Sequence, residues 1–324
     1  MTDAAKAGSA LKLGTRRSKL AMAQSGHVAE AVRQLTGRDV ELVEITTYGD
    51  VSKEQLAQIG GTGVFVTALR DALLNGEVDF AVHSLKDLPT AQPDDLALAA
   101  VPVREDPRDV LVARDGLTFA QLPEGARVGT GSPRRMAQLN AYARSHGMKI
   151  ETVPIRGNID TRVGYVRNGE LDAVVLAAAG LRRIGRVDEV TEFLATDLML
   201  PAPGQGALAI ECAASNADLA AVLAELDDPQ TRFAVTAERA LLAALEAGCS
   251  APVGALADFL VDGQIVNEMR LRGVVGSTDG AELVQLSTTG PVPTSHHGAQ
   301  ALGRELASEM LAKGAAGLMG ERAL

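Results

Sequence analysis

Aromatic side chains are scarce in this chain of 324 residues: they make up 3% of it, and tryptophan is absent. Proteins that stack nucleic acid need such rings together with a basic groove. A formal net charge of -10 argues against the second requirement as well. The chain has two cysteines, Cys212 and Cys249, and five histidines, none at metal-ligand spacing, so no metal site is expected. A lone disulfide is not expected without an export signal, which makes a thiol-reduced, cytoplasmic protein the default. Met1 to Ala10 lacks an apolar run and a cleavage pattern and reads as a loose tail. No apolar stretch is long enough to span a bilayer, so no membrane partner is expected. There is no G-x-x-x-x-G-K-[ST] loop, and Gly129-Thr130-Gly131 lacks the third glycine of a dinucleotide loop.

What is present is an ordinary globular balance, 46% hydrophobic and 22% charged, at a length that suits two or three domains. Charge is unevenly spread. Arg127 to Arg186 holds 11 Lys/Arg against 4 Asp/Glu, while the remainder of the chain carries -17. A cationic segment inside an acidic protein points to a focused anion site. Short apolar runs alternate with amphipathic stretches: strands at Leu11–Gly14, Val40–Thr46 and Val78–His83, helices at Ser18–Leu35 and Val64–Leu74. This alternation predicts parallel sheets covered by helices. Asn75-Gly76-Glu77-Val78-Asp79 and Asn168-Gly169-Glu170-Leu171-Asp172 form a weak internal repeat, which is either a duplicated unit or convergence on an Asn-Gly turn.

Junctions near Arg104–Asp109 and Leu200–Gly204 divide the chain. The expected domains are residues 1–104 with 205–226, residues 108–200, and residues 229–324. The first two are α/β lobes around a hinged cleft. The third is a smaller α+β domain: a helix over Gln230–Ala247, an antiparallel sheet with turns at Asp262-Gly263 and Asp279-Gly280, and a helix over Ser295–Lys313.

Ser132-Pro133 signals a helix start, with serine as the cap and proline in the first turn. Arg134 and Arg135 follow at once, where the helix end itself attracts anions. Carboxylates or phosphates are implied, and replacing either arginine is expected to harm ligand handling more than folding. Arg16 and Arg17 repeat the arrangement, Arg156 and Arg162 flank another helix start, and Arg182 and Arg183 a third. Several planar forks at strand ends suit a ligand with several carboxylates. Gly60-Gly61-Thr62-Gly63 reads as a mobile loop or as a plain helix entrance. His83-Ser84-Leu85-Lys86-Asp87 ends a strand, where open α/β sheets face their ligands. Lys86 can pair with an anion and Asp87 can offset developing positive charge, although a Lys-Asp pair can equally be a surface ion pair. Cys249 follows Gly248 after a helix and can be a reactive thiolate; Cys212 ends an apolar strand and reads as packing.

In order and spacing, T-R-R-S-K-L-A at Thr15, G-G-T-G-V-F at Gly60, H-S-L-K-D at His83, R-E-D-P-R-D at Arg104, G-T-G-S-P-R-R at Gly129, R-G-N-I-D-T-R at Arg156, A-A-G-L-R-R at Ala178, P-G-Q-G-A at Pro203 and G-C-S-A-P-V-G at Gly248 resemble the porphobilinogen deaminases over essentially the whole chain. The resemblance implies two lobes like those of periplasmic binding proteins plus a third domain. It also implies a dipyrromethane cofactor held by a thioether to Cys249. Four porphobilinogen molecules would be condensed with loss of ammonia, and water would release hydroxymethylbilane. Asp87 would be catalytic. Arg16, Ser18, Ser84, Lys86, Thr130, Ser132, Arg134, Arg135, Arg156, Gly157, Arg162, Arg183 and Gln205 would hold acetate and propionate groups or the growing chain, and Phe65 matches the family's loop aromatic. Gln58 and Thr62 depart from the lysines common in that loop. A monomer is expected, with transient hand-over of product to the next pathway enzyme.

The rival reading is a non-catalytic two-lobed binding protein for a multi-carboxylate ligand. It explains the lobes and the arginines, but it leaves Cys249, Asp87 and the third domain without a role.

Overall fold

The computed structural model describes residues 9–46, 66–248, 251–262 and 265–319. In chain order the strands are β1 (Leu11–Thr15), β2 (Val40–Glu44), β3 (Phe80–Ser84), β4 (Leu96–Ala100), β5 (Asp109–Ala113), β6 (Ala126–Gly129), β7 (Ile150–Val153), β8 (Ala173–Ala177), β9 (Glu192–Phe193), β10 (Leu208–Ala213), β11 (Val253–Asp262), β12 (Ile265–Gly276) and β13 (Leu283–Pro291). The helices are α1 (Lys19–Thr36), α2 (Thr67–Leu74), α3 (Pro133–Ser145), α4 (Ile159–Arg167), α5 (Ala178–Arg183), α6 (Ala217–Leu223), α7 (Pro229–Ala244) and α8 (His296–Ala312). The chain forms two compact units. One comprises the residues up to Arg104 together with Ala207–Arg232, and the other comprises Glu105–Gly206 and Phe233 onward.

Each unit contains a five-stranded sheet of one design. The order is β2-β1-β3-β10-β4 in the first and β7-β6-β8-β5-β9 in the second. In both, three neighbouring strands are parallel, and the remaining two pairings, β3–β10 and β10–β4 or β8–β5 and β5–β9, are antiparallel. The expected parallel strands form one side of each sheet, and two antiparallel pairings extend it. A helical crossover makes its two strands parallel, but β5 and β10 enter their sheets just after the chain has passed from one unit to the other, so no such crossover constrains them. Both sheets are apolar on both faces. One face of the first packs Leu13, Val28, Val32, Phe80 and Ile210, and the other packs Leu69, Leu73, Val78 and Ala81.

The weak sequence repeat performs the same task twice. Asn75 and Asn168 are the C-caps of α2 and α4, and Gly76 and Gly169 follow at φ 71° and 72°, the left-handed region that glycine favours. Glu77 and Glu170 then donate their amides to Ala72 and Tyr165. The Asp79 carboxylate accepts the amide of Lys12 at 2.7 Å, and the Asp172 carboxylate accepts that of Arg127 at 2.7 Å. Each aspartate thus joins the strand after its turn to the neighbouring parallel strand.

The antiparallel sheet β11-β12-β13 lies under α7 and α8. Its core includes Leu241, Leu245, Val253, Met269, Leu271, Leu306 and Met310. Within the same unit, buried Glu238 of α7 accepts the Gly204 amide at 2.7 Å and the Ala257 amide at 3.0 Å, which fixes the turn that carries Gln205.

Candidate functional site

In the first unit, the candidate residues follow the C-terminal ends of β1 and β3. Ser18 caps α1, its hydroxyl accepting the Ala21 amide at 3.2 Å. Arg16 is half-buried just ahead of it, while Arg17 is exposed and pairs with Glu44. Ser84 ends β3 and accepts a hydrogen bond from Gln24 at 3.0 Å. Leu85–Asp87 is a short 3-10 turn pinned by buried Leu85 and Leu88, which leaves Lys86 and Asp87 half-buried between two apolar anchors. The Asp87 carboxylate has no hydrogen-bond or ion-pair partner among the described residues. The ion pair with Lys86 that spacing alone allowed is not formed by Asp87 among the described residues.

On the other face of the same sheet lies a buried charged group that the sequence reading missed. Glu211 of β10 is fully buried. Arg70 of α2 donates to it twice, at 3.1 and 2.8 Å, His83 Nε2 stands 3.1 Å away, and Gln92 donates at 3.3 Å. Burial alone would raise the carboxyl pKa, but His83 and Arg70 outweigh it and hold the group down to about 2. The neighbouring Cys212 thiol is buried and pushed up by burial and by the Glu211 charge, which disfavours the thiolate. The signal for Glu211 was an acid inside an otherwise apolar strand.

In the second unit, the ends of β6, β7 and β8 carry the arginines. Pro133 opens α3 and Ser132 is extended ahead of it, but the serine side chain makes no capping bond. Buried Thr130 instead accepts the Ser132 amide at 3.2 Å. Arg134 and Arg135 are both buried. Each donates to Asp109, Arg134 at 2.6 Å and Arg135 at 3.1 and 2.7 Å, and each also reaches a backbone carbonyl, Leu200 or Val175. Gln205 donates to Asp109 at 3.0 Å and to the Pro107 carbonyl at 2.7 Å. Asp109 is fully buried, and although burial opposes ionisation, the two guanidiniums hold its pKa far below the usual carboxylate range. These two arginines are thus built into the lobe around an internal counter-ion, so replacing either should cost folding stability as well as ligand handling. Asp109, the last residue of the R-E-D-P-R-D run and the first of an apolar strand, was not singled out from sequence.

The remaining arginines of this unit are different. Arg156 and Arg162 have no acidic partner among the described residues, and Arg162 donates only to the Gly157 carbonyl at 2.8 Å. Gly157, at φ 105°, makes the turn into α4, which Asn158 caps. Burial, then Arg135 and Arg156, pull the Arg162 guanidinium down to about 10. Burial likewise lowers Arg183, partly offset by Glu105, and Arg183 donates to the Gly206 carbonyl at 2.6 Å. Partly desolvated cations with little or no acid beside them are stabilised by an incoming carboxylate. That donor set fits the acetate and propionate groups of a dipyrromethane.

Phe65, the Gly60–Gly63 loop with Gln58 and Thr62, and Cys249 lie outside the described residues. Before Cys249, α7 ends at Ala244 and the chain turns through Glu246 at φ 52°; after it, β11 begins at Val253.

Comparison with known proteins gives the class first. A sequence model described as "Porphobilinogen deaminase, dipyromethane cofactor binding domain" matches residues 11–221, and one described as "Porphobilinogen deaminase, C-terminal domain" matches residues 232–312, so the chain is a transferase built to carry a dipyrromethane. It is 84% identical to porphobilinogen deaminase 1 of Streptomyces avermitilis over 97% of this chain and 98% of that one. It is 56% identical to porphobilinogen deaminase of Thermobifida fusca over 94% of each. The chain belongs to the porphobilinogen deaminase family. Among solved structures, a periplasmic substrate-binding protein of an ABC transporter from Coxiella burnetii aligns with 68% of this chain and 93% of its own at TM-score 0.43 and 11% identity. The aliphatic sulphonate binding protein of Escherichia coli aligns with 74% of this chain and 71% of its own at TM-score 0.39 and 18% identity. No helix among the described residues is long and apolar enough to cross a membrane.

Proposed function

We propose that the chain carries out its family's reaction with Asp87 as the catalytic carboxylate and Cys249 as the attachment point of the cofactor. The reaction joins four porphobilinogen molecules, each losing ammonia, into a linear chain that leaves as hydroxymethylbilane after addition of one water, a step of tetrapyrrole biosynthesis. The observation that carries the assignment is Asp87 itself: a half-buried carboxylate at the end of β3, with no partner among the described residues. Departure of ammonia from the aminomethyl carbon of porphobilinogen leaves a delocalised cation on the pyrrole. A carboxylate that accepts the pyrrole N–H offsets that charge as it develops, and it does the same for the pyrrole that attacks.

Arg156, Arg162 and Arg183 hold the acetate and propionate groups, and Arg16, Ser18, Ser84 and Lys86 add polar contacts at the strand ends of the first unit. Thr130, Ser132, Gly157 and Gln205 shape the turns around the arginines. Arg134 and Arg135, fixed by Asp109, contribute field as well as contact, and Phe65 supplies an apolar face from its loop. The dipyrromethane, when bound, supplies the nucleophilic pyrrole carbon on which the first substrate is joined. A covalent tether keeps the growing chain from diffusing away, and a Cys249 thiolate is the residue type that can form one.

The same reading takes the three stretches 1–104 with 205–226, 108–200 and 229–324 as the domains. It takes the working form as a cytoplasmic monomer that hands its product on transiently and binds neither nucleic acid nor membrane. A purely binding protein for carboxylates has no use for Asp87 or Cys249 and is not favoured. Intact mass after denaturation tests the tether. The parent should carry two pyrrole units, and folded Cys249→Ala should carry none; the same added mass on Cys249→Ala would refute the attachment.

A further inference from the structure

We propose that Glu211 is a positioning residue for Asp87, acting through His83 and Gln92; this rests on Asp87 being the catalytic carboxylate. The segment that bears Asp87 is held at both ends by one buried anion. His83, just before the turn, places Nε2 3.1 Å from Glu211. Gln92, just after it, donates to Glu211 at 3.3 Å and to the Leu96 carbonyl at 3.0 Å. Arg70 closes the group with its two-pronged contact to the same carboxylate. Between the two brackets, the Leu85 amide donates to the Ala207 carbonyl at 3.0 Å and the Leu88 amide to the Leu85 carbonyl at 3.1 Å. Ala207 immediately precedes β10, the strand that carries Glu211, so the same strand holds the segment through its backbone and through its acid.

Stability alone does not account for this group. Buried ion clusters are commonly replaced by apolar side chains without loss of stability, and the surroundings here are already apolar: Leu69, Leu73, Val78, Ala81 and Leu96. What an apolar replacement cannot supply is a polar anchor on both flanks of a turn, a close His83 Nε2–carboxylate contact before it and a Gln92 hydrogen bond after it. A carboxylate that must meet a transient cation is sensitive to such a hold, because small displacements of a reacting group are costly in rate.

The test uses cofactor-loaded protein, with loading confirmed by mass, and compares Glu211→Gln, His83→Leu, His83→Gln and Asp87→Asn. Glu211→Gln and His83→Leu should lower kcat by about ten- to a hundred-fold while KM for porphobilinogen stays within about twofold. Without substrate, hydrogen exchange at the Leu85 and Leu88 amides should quicken in both. His83→Gln, which keeps a polar group facing Glu211, should recover most of kcat. If Glu211→Gln fails to fold, His83→Leu decides, since Arg70 still neutralises Glu211 there. Parent-like kcat and exchange in His83→Leu would overturn the proposal, as would a loss of kcat that only tracks the folded fraction. Asp87→Asn should lose more activity yet keep parent-like exchange. A fully active Asp87→Asn would remove the reading of Asp87 and this inference with it, whereas an inactive Asp87→Asn beside a normal Glu211→Gln would remove this inference alone.

Discussion

The two five-stranded sheets place a buried acid on the same strand of the same design, but at different depths. In the second unit, Asp109 is the first residue of β5 and lies opposite Ala177, the last residue of β8. In the first, Glu211 is the fourth residue of β10 and lies opposite Ala81, inside β3. Depth decides what each acid can reach. At the strand end, Asp109 meets the arginines that open α3 and the glutamine of the next turn, and it becomes their internal counter-ion. Deeper in the sheet, Glu211 meets a helix side chain and the two flanks of a loop, and it supports from beneath without entering the strand-end region. Among the described residues, the first unit is left with a carboxylate without a partner at its strand ends and the second with Arg156 and Arg162, cations without an acid.

The sharpest way to break this contrast is to remove the internal counter-ion. Asp109→Asn leaves two buried guanidiniums without their acid and should cost about 3–5 kcal/mol of stability. Arg134→Leu should act in the same direction, because Asp109 then keeps only Arg135 and Gln205. Arg162→Leu removes a crowded cation that has no acid, so the protein without cofactor should be at least as stable as the parent but should take up the dipyrromethane less well. Denaturant titration of cofactor-free protein separates the two classes. Equal destabilisation by Arg134→Leu and Arg162→Leu would erase the distinction between scaffold and ligand arginines.

Next in size is Asp87→Asn. The amide keeps the shape and one acceptor but not the charge. Loss of electrostatic stabilisation of this kind is worth about 2.7–4 kcal/mol, so kcat on loaded protein should fall by about 10²–10³. A near-normal rate would show that the unpartnered carboxylate of the first unit is not the chemical one.

Acid should test the two counter-ions together. Both carboxyls are held below their ordinary values in the folded protein, Glu211 at about 2 and Asp109 far below the usual range. Their stabilisation is therefore fully present above the unfolded carboxylate pKa of about 4 and is lost as pH falls through the folded values. The unfolding midpoint should hold from neutrality to about pH 5 and then fall. The Glu211 share should be on the order of 2–3 kcal/mol, and Glu211→Gln should flatten that part of the curve. A curve for Glu211→Gln as steep as the parent's would mean that Arg70 and His83 do not hold the acid ionised.

Residues at strand ends were legible because turn chemistry and residue type mark them: Ser132-Pro133-Arg134-Arg135 announces its helix, and the half-buried 3-10 turn sits where H-S-L-K-D ends its strand. The antiparallel arrangement of β11, β12 and β13 and the closing helix were legible from alternation and turn residues in the same way. The partners of the buried acids were not. Arg70 and Glu211 are 141 residues apart and Arg134 and Asp109 are 25 apart, and each pairing depends on which strand lies beside which. Alternation tells which face a side chain takes, but it does not tell that β10 enters beside β3, or β5 beside β8, in the antiparallel sense. For the same reason the arginines of α3 read as ligand contacts when half of their bonding capacity is internal.

The smallest effect tests whether the two units really share a design at their turns. Gly76 and Gly169 sit at φ 71° and 72°, and a Cβ built on either meets nothing within 4 Å. Packing therefore contributes nothing to an alanine substitution at these sites, and only the backbone matters. An L-residue held in the left-handed region costs roughly 1–2 kcal/mol, partly offset because alanine also restricts the unfolded chain relative to glycine. Gly76→Ala and Gly169→Ala should each lower stability by about 1 kcal/mol, with the two values equal within error. The hydrogen bonds around them predict the equality. Each turn is closed by an amide returning to the preceding helix, and each is followed by an aspartate that accepts the amide of the neighbouring parallel strand. Neither glycine contacts a candidate site residue, so kcat and KM should be unchanged in both. A clear inequality in the stability loss would mean that the turns resemble each other in form but bear different loads, and that the Asn-Gly motifs converged on one geometry.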